Sequence, residues 1–343
     1  MKTNSIIRSL LAGIVTLSLA LTAQAKDVTL LNVSYDVTRE FYQEYNAAFT
    51  TFWKEKTGDV VTVNQSHGGS SKQARAVIDG LQADVVTMNQ ALDIDAIQER
   101  SGAIPVGWLA RLPNRSVPYT STILFVVRRG NPKQIKGWDD LVRTNVSVII
   151  PNPKTSGNGR YSYLAAWGYA LKKNAGDEEV VRQAKAREFV GKLFANVPVL
   201  DTGGRGATTT FAQRDIGDVL LTFENEVALI QKEAGPGKLQ VVVPPVSIRA
   251  DNPVVWVDKV VNKHGTAVEA RGYLEYLYTD AGQELAAKHN FRPQNAAILA
   301  KYADRFKPLE LLSVEEVAGG WAKAQKVHFA DGGLFDKIYQ PKK

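Results

Sequence analysis

Apolar β-like runs alternate with helix-like segments along this chain, and four of the junctions are short turns rich in glycine or serine. They are Ser34-Tyr35-Asp36, His67-Gly68-Gly69-Ser70-Ser71, Lys154-Thr155-Ser156-Gly157-Asn158-Gly159 and Thr202-Gly203-Gly204-Arg205-Gly206. Strand, turn and helix in series is the grammar of a sheet with helices on its faces. Residues 28–33 read as a buried strand, followed by a helix with Phe41, Tyr45, Phe49 and Phe52 on one stripe. A strand at 60–64, a helix carrying Ala74, Val77, Ile78 and Leu81, and a strand at 84–88 come next. The pattern restarts with a strand at 147–150, a helix bearing Leu164, Trp167 and Leu171, and another bearing Val190, Leu193, Phe194 and Val197. Strand-like runs at 218–223 and 239–243 complete what reads as a second α/β lobe. Two extended apolar segments, 119–129 and 244–259, suit passage between the lobes.

The N-terminus reads as an export signal. Lys2 and Arg8 make a basic start, an apolar core runs from Leu10 to Leu21, and Ala23-Gln24-Ala25 fits a small-x-small cleavage pattern. That core is shorter than the roughly 20 residues a membrane-spanning helix needs, so cleavage after Ala25 and no stable membrane insertion are expected. The rest of the 343-residue chain is long enough for two compact domains. It contains no cysteine, so its stability rests on its core, and thiolate chemistry is excluded. The formal charge of +7 is spread without a run of five or more basic residues, which gives no nucleic-acid footprint.

Enzymatic motifs fail on spacing. Gly68-Gly69-Ser70-Ser71-Lys72 lacks the first glycine of a phosphate-binding loop, and Thr202 to Gly206 lacks the dinucleotide fingerprint. His67-Gly68-Gly69 resembles an oxyanion-hole loop, but no G-x-S-x-G elbow or S-x-x-K pair accompanies it. The four histidines, His67, His264, His289 and His328, are scattered, so no metal site, catalytic residue or cofactor is expected. Taken singly, each turn reads as an ordinary helix cap. Taken together, they sit where ligands bind in open α/β sheets, outside the carboxyl ends of strands. Helix starts expose unpaired N–H groups at a partly positive dipole end, and several of them converging would form an anion socket.

These segments resemble the periplasmic sulfate- and thiosulfate-binding proteins of ABC importers. The likeness is carried by Leu31-Asn32-Val33-Ser34-Tyr35-Asp36, residues 65–73, residues 152–163 with Leu164-Ala165-Ala166-Trp167-Gly168, and residues 201–211. Ile216-Gly217-Asp218-Val219-Leu220 and Gly319-Gly320-Trp321 extend it over essentially the whole mature chain. The resemblance implies a two-lobed periplasmic-binding-protein fold of type II. Each lobe would be a mixed, mostly parallel sheet flanked by helices, with extended hinge crossovers joining the two. The expected division is 1–25 signal peptide, 26–118 and 250–315 first lobe, 119–249 second lobe, and 316–343 a C-terminal segment packing on the second lobe. The implied role is a monomeric receptor that captures sulfate or thiosulfate and hands it to an inner-membrane ABC permease. A receptor for another tetrahedral oxyanion, phosphate or molybdate, and a secreted hydrolase of sulfate or phosphate esters are the alternatives.

Carried over position by position, the resemblance assigns backbone donors to Asp36, Ser70, Gly157, Asn158 and Gly204, and a hydroxyl donor to Ser156. It assigns no direct contact to Lys72, Arg160 or Arg205, which follow the turns. Sulfate-specific relatives place a tryptophan, whose indole donates to the ligand, where this chain has Phe223. Phenylalanine has no donor, and its ring suits the softer terminal sulfur of thiosulfate. The resemblance therefore implies sulfate or thiosulfate without ranking the two.

Overall fold

The computed structural model describes residues 25–339; of the signal segment read at 1–25, all but Ala25 lies outside the described residues. The strands run in the order β1 (Asp27–Tyr35), β2 (Val60–Gly68), β3 (Val85–Thr87), β4 (Tyr119–Arg128), β5 (Val148–Ile149) and β6 (Val219–Phe223). They continue with β7 (Leu239–Val242), β8 (Val246–Asp251), β9 (Val254–Trp256), β10 (Arg292–Pro293) and β11 (Glu310–Leu312). Two sheets result, and they mark the two lobes. The smaller has the order β2-β1-β3-β9, and the larger follows β11-β8-β4-β6-β5, with β7 and β10 also paired to β4.

In the smaller sheet β1 runs parallel to β2 and to β3, and β9 closes the edge antiparallel to β3. The larger sheet carries more antiparallel pairing than the alternation of elements suggests. The reason is β4, the first crossover strand, which is antiparallel to β6, β7, β8 and β10. Only β5 with β6 and β8 with β11 are parallel there among the described residues. The return crossing is short: β8 ends at Asp251 in the larger sheet, and β9 starts at Val254 in the smaller one.

Each lobe has its own core. In the first, the Arg39–Thr57 helix buries Phe41, Tyr42, Tyr45, Phe49 and Trp53. Gly58, at φ +84°, terminates it with a left-handed cap that returns its N–H to the Lys54 carbonyl. Trp53 lies on the buried stripe, and Phe52 stacks at its edge on Tyr276 with ring centroids 4.7 Å apart. In the second, Trp138 is fully buried and donates its indole N–H to the Val246 carbonyl at 2.7 Å. The C-terminal segment joins this second core through Val317, Ala324, Phe329 and Phe335. His328 fills a niche against Trp167, with Nδ1 3.0 Å from the Tyr163 hydroxyl, and burial pushes it down to about 4, so it stays neutral. No helix among the described residues is long and apolar enough to cross a membrane.

The first core is packed to the limit at Gly272, where a β-carbon would stand 2.0 Å from Cζ3 of Trp53. Gly272→Ala is therefore expected to destabilise the protein by about 1–3 kcal/mol, the usual cost of overpacking, as read from the midpoint of urea unfolding.

Candidate functional site

The turns picked out in the sequence all lie just past strand ends or at helix starts. β1 runs directly into a 3-10 turn at Asp36–Thr38, and β2 is followed after Gly69 by the Ser70–Ile78 helix. The Gly157–Lys173 helix starts after Ser156, and the short Gly204–Thr208 helix starts after Gly203. β6 ends at Phe223, which immediately precedes the Glu224–Ala234 helix.

Across the seam between the lobes these starts meet backbone to backbone. A β-carbon at Gly69 would stand 3.0 Å from the Thr155 carbonyl oxygen and 3.3 Å from that of Thr202. At Gly203 it would stand 2.7 Å from Asp36 Oδ2, and at Gly204 3.2 Å from Val37 Cγ1 and 3.5 Å from Asn158 Nδ2. At Gly157 it would stand 2.1 Å from Asn89 Oδ1. Glycine is the residue that lets chains approach this closely. Asp36, Ser70, Gly157, Asn158 and Gly204 are thus gathered around one seam, with contributions from both lobes.

The side chains divide into committed and uncommitted groups. Ser70 donates its hydroxyl to Asp93 Oδ2 at 2.5 Å, which leaves its backbone N–H as the group to offer. Asn158 is buried, with Nδ2 3.4 Å from Thr222 Oγ1 and Oδ1 accepting from Ser162. Ser156 occupies the N-cap position, where serine ordinarily bonds back to the helix, yet it makes no such bond and is only 3% exposed. Its hydroxyl stands at the start of a 17-residue helix and is not used to cap it. Phe223 is held edge-on between Tyr161 at 5.8 Å and Tyr35 of the first lobe at 6.3 Å.

The ionic groups stand around this seam. Burial raises the Asp36 carboxyl, while the backbone N–H and guanidinium of Arg205 pull it back down. Asp36 Oδ2 lies against Gly203, just before the Gly204–Thr208 helix of the opposite lobe. Arg205 reaches Glu40 of the first lobe at 2.7 Å and Glu233 at 3.3 Å, and stands 3.5 Å from Glu226. Arg160 is buried, donates to the Pro153 carbonyl and lies 4.0 Å from Asp93, whereas Lys72 is exposed. Burial, with Arg39 and Arg205 nearby, pushes His67 down to about 4, so it brings no positive charge at neutral pH.

Asn89, Asp93, Thr208 and Thr210 also border the turns and were not legible in the sequence. Asp93 gathers Ser70, Ser71 and Gln90. Among the described residues, Asn89 Oδ1, Thr208 Oγ1 and Thr210 Oγ1 are buried with no hydrogen-bond partner. The signal that could have found Asn89 is its place two residues past the end of β3, at the carboxyl end of a strand. The turn there, Met88-Asn89-Gln90, has neither glycine nor serine to mark it.

Burial pushes Glu226 from its ordinary 4.5 up to about 8 against the pull of Arg205, so it is neutral at pH 7 and Arg205 is balanced by Glu40 and Glu233. A carboxyl whose pKa is raised by folding supports stability below its unfolded value and loses that support as pH climbs through the folded one. Glu226→Gln is expected to raise the urea midpoint relative to the wild type at about pH 8 and to lose this advantage near pH 4.5, with a slope of up to ~1.4 kcal/mol per pH unit between.

Comparison with known proteins places this geometry in context. The family model described as "Bacterial extracellular solute-binding protein" matches residues 12–292. The chain is 59% identical over 312 residues to the thiosulfate-binding protein of Pseudomonas aeruginosa, covering 91% of this chain and 92% of that one. It is 57% identical over 314 residues to the sulfate-binding protein of Salmonella typhimurium, covering 92% and 94%. Among solved structures, the sulfate-binding protein SubI of Mycobacterium tuberculosis H37Rv superposes with a TM-score of 0.77 at 31% identity, covering 87% of this chain and 98% of SubI. A two-lobed architecture, helix starts converging between the lobes, and matches along most of the chain lead to one conclusion: the chain belongs to the bacterial extracellular solute-binding protein family.

Proposed function

We propose that the protein is a periplasmic receptor that captures sulfate or thiosulfate between its lobes and delivers it to the permease of an ABC importer. The observation that carries this reading is the meeting of helix starts from both lobes at one seam, beside Ser156, a buried N-cap residue whose side chain does not cap its helix. The ligand would accept from the backbone N–H groups of Asp36, Ser70, Gly157, Asn158 and Gly204 and from Ser156 Oγ, with Phe223 as an apolar wall. The relatives named for sulfate and for thiosulfate support both anions. Residues 26–118 and 250–315 would form the first lobe, and 119–249 the second, with 316–343 packed on it. Residues 1–25 would be removed on export.

The physics favours a fully ionised oxyanion. A buried dianion forfeits its hydration, and each oxygen needs replacement donors at good geometry. Donors fixed to the backbone accept no proton, so a protonated phosphate would bring a hydroxyl with nothing to bond, at a cost of about 1–3 kcal/mol. No covalent step is involved: binding draws the lobes together, and the closed form is what the permease reads.

Isothermal titration of ligand-stripped protein with sulfate, thiosulfate and phosphate tests the reading. One-to-one binding of a sulfur anion with phosphate silent is expected, and silence from both sulfur anions would reject it. Phe223→Trp supplies an indole donor and is expected to move the affinity ratio toward sulfate. Gly69→Ala keeps an allowed backbone, at φ −56° and ψ 134°, but pushes a methyl against two carbonyls of the opposite lobe. It is expected to leave ligand-free stability within about 0.5 kcal/mol while weakening anion binding about tenfold, because it obstructs closure alone.

A further inference from the structure

The carboxamide of Asn89 has no part in the ligand set just described, and its surroundings demand one. Asn89 is 3% exposed, and its Oδ1 is buried with no hydrogen-bond partner among the described residues. Its neighbour Gln90 also has a buried Oε1 without a partner, but its Nε2 is anchored to Asp93 at 2.8 Å and to Ser71 at 3.3 Å, whereas Asn89 is held at neither end of its amide among the described residues. A buried polar group without a partner costs about 1–3 kcal/mol, so an amide kept in that condition needs a reason.

Its position supplies the reason. The amide comes from the first lobe and lies against the first residue of the 17-residue Gly157–Lys173 helix of the second. A β-carbon at Gly157 would stand 2.1 Å from its Oδ1 and 2.6 Å from its Nδ2. An amide can turn to present either its oxygen or its NH2 group. At a helix start whose N–H groups and dipole select negative charge, the end turned toward a bound anion is the NH2 group.

We infer that Asn89 is a ligand-binding residue that donates a side-chain N–H to the anion from the first lobe as the cleft closes. This rests on the anion-receptor reading above. Asn89 would thus be a donor that mutation can delete, unlike the backbone groups around it. It addresses oxygens that sulfate and thiosulfate share, so its removal weakens both alike, whereas changes at Phe223 alter their ratio.

The test is isothermal titration of the full mature protein and of Asn89→Ala, Asn89→Leu and Asn89→Asp with sulfate and with thiosulfate. Leucine keeps the branched outline of asparagine with more bulk and alanine has less, so a loss shared by the two separates donation from space-filling. Both Asn89→Ala and Asn89→Leu are expected to lose about 10- to 100-fold in affinity for each anion, the range for a hydrogen bond to a charged partner. Ligand-free urea midpoints should stay level or rise, because an unpartnered amide has been removed. Asn89→Asp keeps the shape and sets a carboxylate against the anion. Its loss should be larger still at neutral pH and partly recovered at about pH 5, toward the carboxyl's own titration range. Wild-type affinity in Asn89→Leu would overturn the assignment, as would a pH-independent affinity in Asn89→Asp. If the wild-type protein binds neither anion, the receptor reading itself falls; if it binds and Asn89→Leu matches it, only the role of Asn89 falls.

Discussion

Unpaired backbone N–H groups at the helix starts are the constraint on which the rest of this molecule depends. Buried donors must find partners, and these helices begin where two lobes press together and water is scarce. Glycine at 69 lets the opposing backbone come near, and glycine at 157, 203 and 204 makes room for the side chains of Asn89, Asp36 and Val37. Larger residues there would hold the lobes apart and leave the donors to solvent. The turn composition, the two-lobed architecture and the anion reading are one requirement seen at three scales.

That requirement explains why the lobes have separate cores. The helix Arg39–Thr57 packs on Tyr273 and Tyr276 in one, and Trp138, Trp167 and the C-terminal segment pack in the other. Apart from Tyr35 and Val37, which reach from the first lobe into the second core, most of each interior belongs to one lobe. One polar contact across the seam is a buried ion pair, Arg160 with Asp93, at a loose 4.0 Å. Arg205 to Glu40 joins partly exposed side chains, and exposed ion pairs typically contribute about 0–1 kcal/mol. The Tyr35 hydroxyl donates to Asn252 at 2.8 Å, at the return crossing itself. Closure is therefore left for a ligand to decide, since a ligand shifts such an equilibrium only by binding one state better than the other.

Much of this was legible in the chain itself. Alternating apolar runs locate β1, β2, β3, β5 and β6, and the glycine-serine turns mark four of the helix starts that meet at the seam. The antiparallel habit of β4 was not legible, because an extended apolar run looks the same whichever way its neighbours point. Asn89 escaped for a related reason. Its turn has no glycine, and a carboxamide is informative only once its hydrogen-bond partners are known to be missing. Arg160 and Arg205 look like anion ligands in the sequence, and only their carboxylate and carbonyl partners in space reveal how they are engaged.

The charges around the seam complete the logic. Arg205 is balanced by Glu40 and Glu233, Arg160 faces Asp93, and His67 is held neutral by burial. The buried or half-buried cations at the turns, Arg160 and Arg205, both face carboxylates, so oriented N–H groups make up much of the field there. A lysine or arginine reaching in from one lobe would keep hold of an anion after the lobes parted. Donors divided between two lobes, as proposed here, would behave differently: they would surround an anion only in the closed form, and opening would remove one lobe's share at once. Holding the ligand and letting it go are then the same motion in opposite directions, which is what a receptor that must surrender its cargo requires.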